Sequence, residues 1–536
     1  MKRWNGWGDE AVAYELSDSA LAFLAGRIGP GAGPLDATLQ HACAGIPASR
    51  LPAHPLIETA PAARLAAGIG QSLQDWLRLR YGQPGALPDG VAFPENEDEV
   101  RMLLDFAAAC DAHVIACGGG TSVAGHLTAL GKGKPVLTIN TTRLARLLDL
   151  DREAQLATFG AGVFGPDLEA QLRAQGYTLG HFPQSFEYST LGGWITTRSS
   201  GQQSLRYGRI EQLFAGGRME TPAGRFELPT FPASAAGTDL RELALGSEGR
   251  MGILTRATVR VTRAPEREAF HAVFFPDWEQ ARICARELVQ NKVPLSMLRV
   301  SNVTETQTTL ALAGHARLLG MLQRYLRWRG AGDNKCLMLL GASGSAATVD
   351  AAIAQALALA RRHHGVHAGR TIGEKWKQNR FRNVYLRNSA WRQGYAIDTF
   401  ETAVDWPRVT AMMQAMERGA HDALAAFSER AHVYTHLSHL YGQGASVYTT
   451  CVYRLAGAFE PDLARWRALK QAVSRAIVAT GGTISHQHGV GLDHAPYLEQ
   501  EKGALGMDAM RALFARFDPD GRMNPGKLLP ESAHVG

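Results

Sequence analysis

Along the middle of this chain, short apolar runs alternate with amphipathic stretches, and the spacing predicts a change of architecture near residue 264. Val100, Leu103, Leu104 and Ala107 fall on one face of a helix expected near Asp98–Cys110. The run AHVIAC at Ala112–Cys117 reads as the strand that follows, and PVLTIN at Pro135–Asn140 as another. Leu156–Gly160, Arg218–Thr221 and Arg225–Leu228 read as further strands, with Pro222–Gly224 turning the last two into a hairpin. Gly165–Gly176 reads as a helix with a glycine stop. Beyond residue 264 the helices lengthen, at Trp278–Gln290, Val349–His364 and Trp406–Arg430. Single strands stand between them at Lys335–Gly341 and Val447–Tyr453, a pattern that suits an antiparallel sheet covered by helices on one side. Helical pieces are expected near Leu65–Tyr81. The pattern divides the chain into an N-terminal helical segment (1–90), an α+β domain (91–263), a second α+β domain (264–472) and a C-terminal segment (473–536).

Two small-residue runs break this pattern and point to a ligand. In ACGGGTSVAGH, Gly118, Gly119 and Gly120 lack a Cβ, so consecutive N–H groups can converge on a diphosphate. Ala116, Cys117, Thr121 and Ser122 flank them. The second run, from Pro183 to Leu213, supplies Pro183, Gln184, Ser185, Phe186, Glu187, Tyr188, Ser189, Thr190, Gly193, Thr197, Arg198, Ser199 and Ser200. Its hydroxyls suit the ribityl chain and ring edge of a flavin. A dinucleotide fingerprint of the Rossmann kind is a poor match, because no GxGxxG opens a helix after the Ala112–Cys117 strand.

GGGTSVAG, SFEYSTLGGWITTRSSG and LGSEGRMGILT together resemble the FAD-linked oxidase type 4 group, with its vanillyl-alcohol-oxidase or PCMH-type fold. Within that group the likeness is to the alkyldihydroxyacetonephosphate synthase family. RWNGWGD (Arg3–Asp9), SLRYGRIEQL (Ser204–Leu213), YLRN (Tyr385–Asn388), FET (Phe400–Thr402), SHQHGVG (Ser485–Gly491) and FDPDGRMNPGKLL (Phe517–Leu529) extend it over nearly the whole chain. The resemblance implies a PCMH-type FAD-binding domain over 91–263, a substrate cap over 264–472, and a final segment returning to the flavin. It adds Gly246, Ser247, Glu248, Gly249, Arg250, Met251 and Gly252 to the cofactor-binding set. It also implies non-covalent FAD, since Thr121 stands where covalently linked relatives place a histidine.

The implied reaction exchanges the acyl chain of acyl-dihydroxyacetone phosphate for a fatty alcohol without net oxidation. The alternative is an FAD-dependent dehydrogenase or oxidase of a 2-hydroxy acid or glycerol phosphate. By the resemblance Tyr448 handles protons, which a phenol with a pKa of about 10 does only with help from neighbours. Arg387 matches the arginine that binds the substrate phosphate, a role suited to a guanidinium fork, and Arg299 matches a second arginine. His488, supported by His486, is the expected functional histidine. The family carries three successive histidines there, and this chain has Gln487 in the middle.

Composition narrows the classes further. The chain has 536 residues, 56 basic and 50 acidic, and a formal charge of +6, with no run of five like charges. Nucleic-acid binding, which needs a clustered basic face, is not expected. The six cysteines form no CxxC pair, so a reducing, cytoplasmic setting is expected. No signal peptide or membrane span is read, and the tail PESAHVG carries no lipidation or peroxisomal signal. Peripheral membrane contact and a homodimer are open by analogy. No metal is expected. The rival metal reading places His432, His436 and His439, spaced four and three apart, on one helix face.

Overall fold

In the computed structural model of the protein, which describes residues 2–312 and 316–530, the first expected helix spans Glu97–Ala109. Asn96 caps it by accepting from the Glu99 amide, and three acidic residues occupy its first turn. Its buried face is Val100, Leu103, Leu104 and Ala107. That face packs against a four-stranded sheet in which Gly90–Ala92, Val136–Asn140 and His113–Cys117 run parallel. Strands covered on both sides are continuously apolar, which is why HVIAC and VLTIN show no alternation.

A second sheet has five antiparallel strands, in the order Leu147–Asp151, Leu156–Gly160, Ile253–Arg260, Phe214–Thr221 and Gly224–Leu228. The hairpin expected around Pro222–Gly224 joins its last two strands, with Thr221 paired to Gly224. The region expected as helix near Leu65–Tyr81 is two helices, Pro61–Gly68 and Leu73–Arg80. Ser72 and Asp75 form a capping box that restarts the second.

The third sheet has seven strands, all antiparallel, where two were read. Their order is Val366–His367, Arg267–Phe275, Cys336–Gly344, Met297–Ser301, His432–Leu440, Gly444–Arg454 and Tyr395–Asp405. Helices cover both faces rather than one. Along Arg267–Phe275, Ala269, Val273 and Phe275 join the core of helices Trp278–Gln290 and Ala346–Arg362. Phe270, Ala272 and Phe274 face the other way, toward Leu310 and Leu326. The long helix expected over Trp406–Arg430 is a short 3₁₀ turn followed by Val409–Ala425.

Chain ends tie the sheets together. Asn524 donates its amide to the Val114 carbonyl and Val114 donates to Arg522, so the C-terminal segment lies beside the His113–Cys117 strand. At the other end, Trp7 donates to Asn388 Oδ1 at 3.1 Å and Asn388 Nδ2 returns a bond to Trp7 O at 2.9 Å. RWNGWGD and YLRN are therefore one contact. No helix among the described residues is long and apolar enough to cross a membrane. The tail beyond residue 530 lies outside the described residues.

Candidate active site

The small-residue runs converge on one cleft. Its wall takes Ala116, Cys117, Gly118, Gly119, Gly120, Thr121 and Ser122 from the first run, and Ser185, Ser189, Thr190, Gly193, Thr197 and Ser199 from the second. Glu248, Gly249 and Gly252 come from the third. The glycines are needed because the runs touch. A Cβ on Gly118 would strike the Thr190 side chain, and one on Gly119 the Tyr188 carbonyl. Gly120, at φ +72°, turns the backbone where a side chain would be strained. Asn524 Oδ1 is buried in the wall without a partner while its amide donates to Glu248 O. An open acceptor, a row of hydroxyls and bare backbone fit a long polyhydroxylated diphosphate.

The remaining expected cofactor residues lie behind this wall or away from it. Phe186 stacks on Phe381 and Trp194 in the core, and Met251 is fully buried there. Tyr188 meets Tyr385 through their hydroxyls at 3.1 Å. Arg198 pairs with Glu242, and Arg250 donates to the carbonyls of Met523 and Asn524. Pro183, Gln184, Glu187, Ser200, Gly246 and Ser247 are likewise absent from the lining. Val123, His126, Thr141 and Asn524 line the cleft without having been singled out. His126 closes the glycine run and Asn524 stands in NPGKLL, so both were in sight.

Glu248 explains how the loops stay together. Its Oε1 accepts from the Val490 amide at 2.5 Å and its Oε2 from the Gly491 amide at 2.8 Å, and His126 Nε2 stands 3.0 Å from Oε2. His126 Nδ1 in turn meets Ser122 Oγ at 2.6 Å. One buried carboxylate thus clasps the glycine loop, the LGSEG loop and the HGVG loop.

A second buried carboxylate, Glu401 of the FET motif, organises the far end of the cleft. Ser438 Oγ donates to it at 2.7 Å and Gln487 Nε2 at 2.6 Å. His486 Nδ1 lies 3.2 Å and His488 Nε2 3.8 Å from its oxygens. The two histidines share one side, as alternation on an extended segment predicts, and Gln487 reaches the same group. Burial raises the Glu401 pKa, but the imidazoles of His486 and His488 outweigh it and hold the carboxyl well below its usual range. Arg209 Nη1 stands 3.3 Å and the Tyr441 hydroxyl 2.7 Å from His486 Nε2.

Tyr448 stands on the Gly444–Arg454 strand with its ring 6.1 Å from that of His488 and stacked at 4.8 Å on His436. Burial pushes the phenol up to about 12, against the pull of the Thr399 hydroxyl and of Arg299 and Arg387. His488 is pushed below its ordinary value, first by burial and then against the attraction of Glu401. Arg387 lies flat over Trp76 at 4.5 Å and donates to the Gln71 carbonyl at 2.9 Å. No carboxylate among the described residues reaches it at ion-pair distance. Arg299, in contrast, is paired with Glu305 at 2.6 Å and lies 3.1 Å from His436 Nδ1.

His432, His436 and His439 lie on a strand, not a helix, so the spacing of four and three gives the three no common face, although His432 and His436 share one. His432 meets Thr308, His436 meets Glu305 and His439 meets Ser204. Of the three, only His439 belongs to a group of three such residues among the described ones, with Glu401 and His486, whose ligand atoms lie within 4.8 Å of one another. The Arg209 cation beside His486 disfavours a metal there.

Two family models match the chain: the FAD binding domain over residues 88–227 and the C-terminal domain of FAD linked oxidases over 264–528. The protein is a flavoprotein of the FAD-linked oxidase class with a PCMH-type fold, and its cofactor is FAD. The alkyldihydroxyacetonephosphate synthase of Dictyostelium discoideum is 30% identical over 479 residues, 87% of this chain and 77% of that one. The enzyme of the same name from Trypanosoma brucei brucei is 29% identical over 477 residues, again 87% and 77%. A solved alkyldihydroxyacetonephosphate synthase superposes with a TM-score of 0.83 at 25% identity, covering 98% of both chains. The chain belongs to the alkyldihydroxyacetonephosphate synthase family.

Proposed function

We propose that the protein exchanges the acyl chain of an acyl-dihydroxyacetone phosphate for a fatty alcohol, making an ether bond with no net oxidation. The observation that carries this reading is Arg387, a half-buried arginine without a carboxylate partner at ion-pair distance, set near Tyr448. A cation so placed is suited to a phosphate. A phenol held near 12 enters the cycle protonated and donates, while His488, kept neutral by burial, accepts. Glu401 and Gln487 fix the orientation of the histidine segment, Gln487 by donating its amide to the carboxylate. Arg299, tied to Glu305 and His436, positions the ring on which Tyr448 stacks. FAD, held without a covalent link, supplies the bond-making chemistry at the dihydroxyacetone carbon when bound.

Long-chain substrates reside in membranes, and the Ala316–Trp328 helix is built to meet one. Met321, Tyr325 and Trp328 recur at helical spacing and are exposed, Trp328 by 79%, with Arg324, Arg327 and Arg329 beside them. The described cysteines are unpaired, consistent with a cytoplasmic site of action.

The test is anaerobic mixing of the holoenzyme with a panel of 2-hydroxy acids and glycerol 3-phosphate. The oxidised flavin band should persist. Lasting bleaching would instead assign a dehydrogenase.

A further inference from the structure

Lys470 is the one lysine of the Phe459–Ala479 helix, and its side chain turns inward. The residue is 8% exposed. Its ammonium makes no hydrogen bond and no ion pair with the described residues, and its only close partner is the Phe400 ring, 5.1 Å away. Lysine is almost never buried this far without a partner. Something else has to satisfy it.

Its side chain lines a small polar pocket together with Thr399, Glu401, Ser474, His488 and His494. Val123 and His488 line both this pocket and the large cleft, so the two adjoin. Glu401 is already engaged by Ser438, Gln487 and His486 and is not paired with Lys470. Asp493 lies within electrostatic range but beyond ion-pair distance. Thr399, whose hydroxyl meets Tyr448, connects the pocket to the proton-handling groups.

We propose that Lys470 binds an anionic oxygen of the substrate, as a second cation beside Arg387. The inference rests on the ether-forming reading, which offers two such oxygens: those of the phosphate monoester and those of the departing fatty carboxylate. Both present the same chemistry to an ammonium, a charge-assisted hydrogen bond.

The experiment titrates the holoenzyme with sn-glycerol 3-phosphate and, separately, with butyrate, reading binding by calorimetry and by the flavin absorbance. Lys470→Met should weaken one of the two by about 10-fold or more, the range of a lost charged hydrogen bond. Melting temperature and flavin content should be unchanged, and Lys470→Arg should recover part of the affinity. Loss of the phosphate ester assigns the phosphate; loss of butyrate assigns the carboxylate. Lys470→Met binding both anions as tightly as wild type overturns the proposal, and a drop in melting temperature alone would make Lys470 structural. Arg387→Ala separates the proposal from the reading beneath it. If that variant loses glycerol 3-phosphate while Lys470→Met binds both anions normally, the proposal fails and the reading stands. If wild type binds neither anion, both fail.

Discussion

Glu401 and Glu305 are buried carboxylates that hold the catalytic side chains by charge. Burial alone would keep both protonated, yet each is flanked by imidazoles, and Glu305 also by Arg299. His436 and Arg299 hold Glu305 down to about 2, well under its ordinary 4.5. A depressed folded-state pKa means stability that is present above the unfolded value and lost as pH falls through the folded one. Glu305→Gln should therefore melt below wild type at pH 6, with the gap closing as pH drops from 4.5 toward 2. A gap independent of pH, followed by calorimetry, would mean that Glu305 acts through packing. For Tyr448→Phe we expect turnover to fall by about 10²–10⁴-fold, the usual worth of a general acid, with flavin binding intact. Retained turnover would remove Tyr448 from the proton path. Neither glutamate was picked out from the sequence, although FET was noticed, because what makes Glu401 important is the three side chains that a distant loop brings to it.

At the scale of elements, the legible parts were those with a distinct period. The Trp278–Gln290 helix and the Thr221–Gly224 hairpin follow from apolar spacing and turn residues. Arg267–Phe275 and His432–Leu440 did not read as strands, because in a sheet with helices on both faces each strand is buried on both sides and the alternation vanishes. His432, His436 and His439 then passed for a helical stripe. A register shift between Leu437 and Leu440 disguised the strand further. The Ala316–Trp328 helix carries its own prediction. Vesicles containing phosphatidylserine should retain the protein more strongly than neutral ones. Trp328→Ala should weaken retention on both, and Arg324→Glu with Arg327→Glu should cancel the preference, at about 1 kcal/mol per charge. Equal retention of all three proteins would place the membrane contact elsewhere.

For the whole molecule, the cofactor was more legible than the chemistry. Glycine runs announce close backbone approach wherever they fall, and Gly118 and Gly119 lie against Thr190 and Tyr188 because no side chain intervenes. The reacting end depends on long-range assembly: Arg387 over Trp76, Tyr448 on His436, and Gln487 against Glu401. Gln487, where the chain departs from the family pattern, donates a hydrogen bond to that glutamate. The most direct measurement is exchange of labelled fatty alcohol into acyl-dihydroxyacetone phosphate, run anaerobically with no electron acceptor. The account predicts labelled ether product and one fatty acid released per ether formed, with the flavin still oxidised at the end. No ether, or product only when an electron acceptor is supplied, would contradict it.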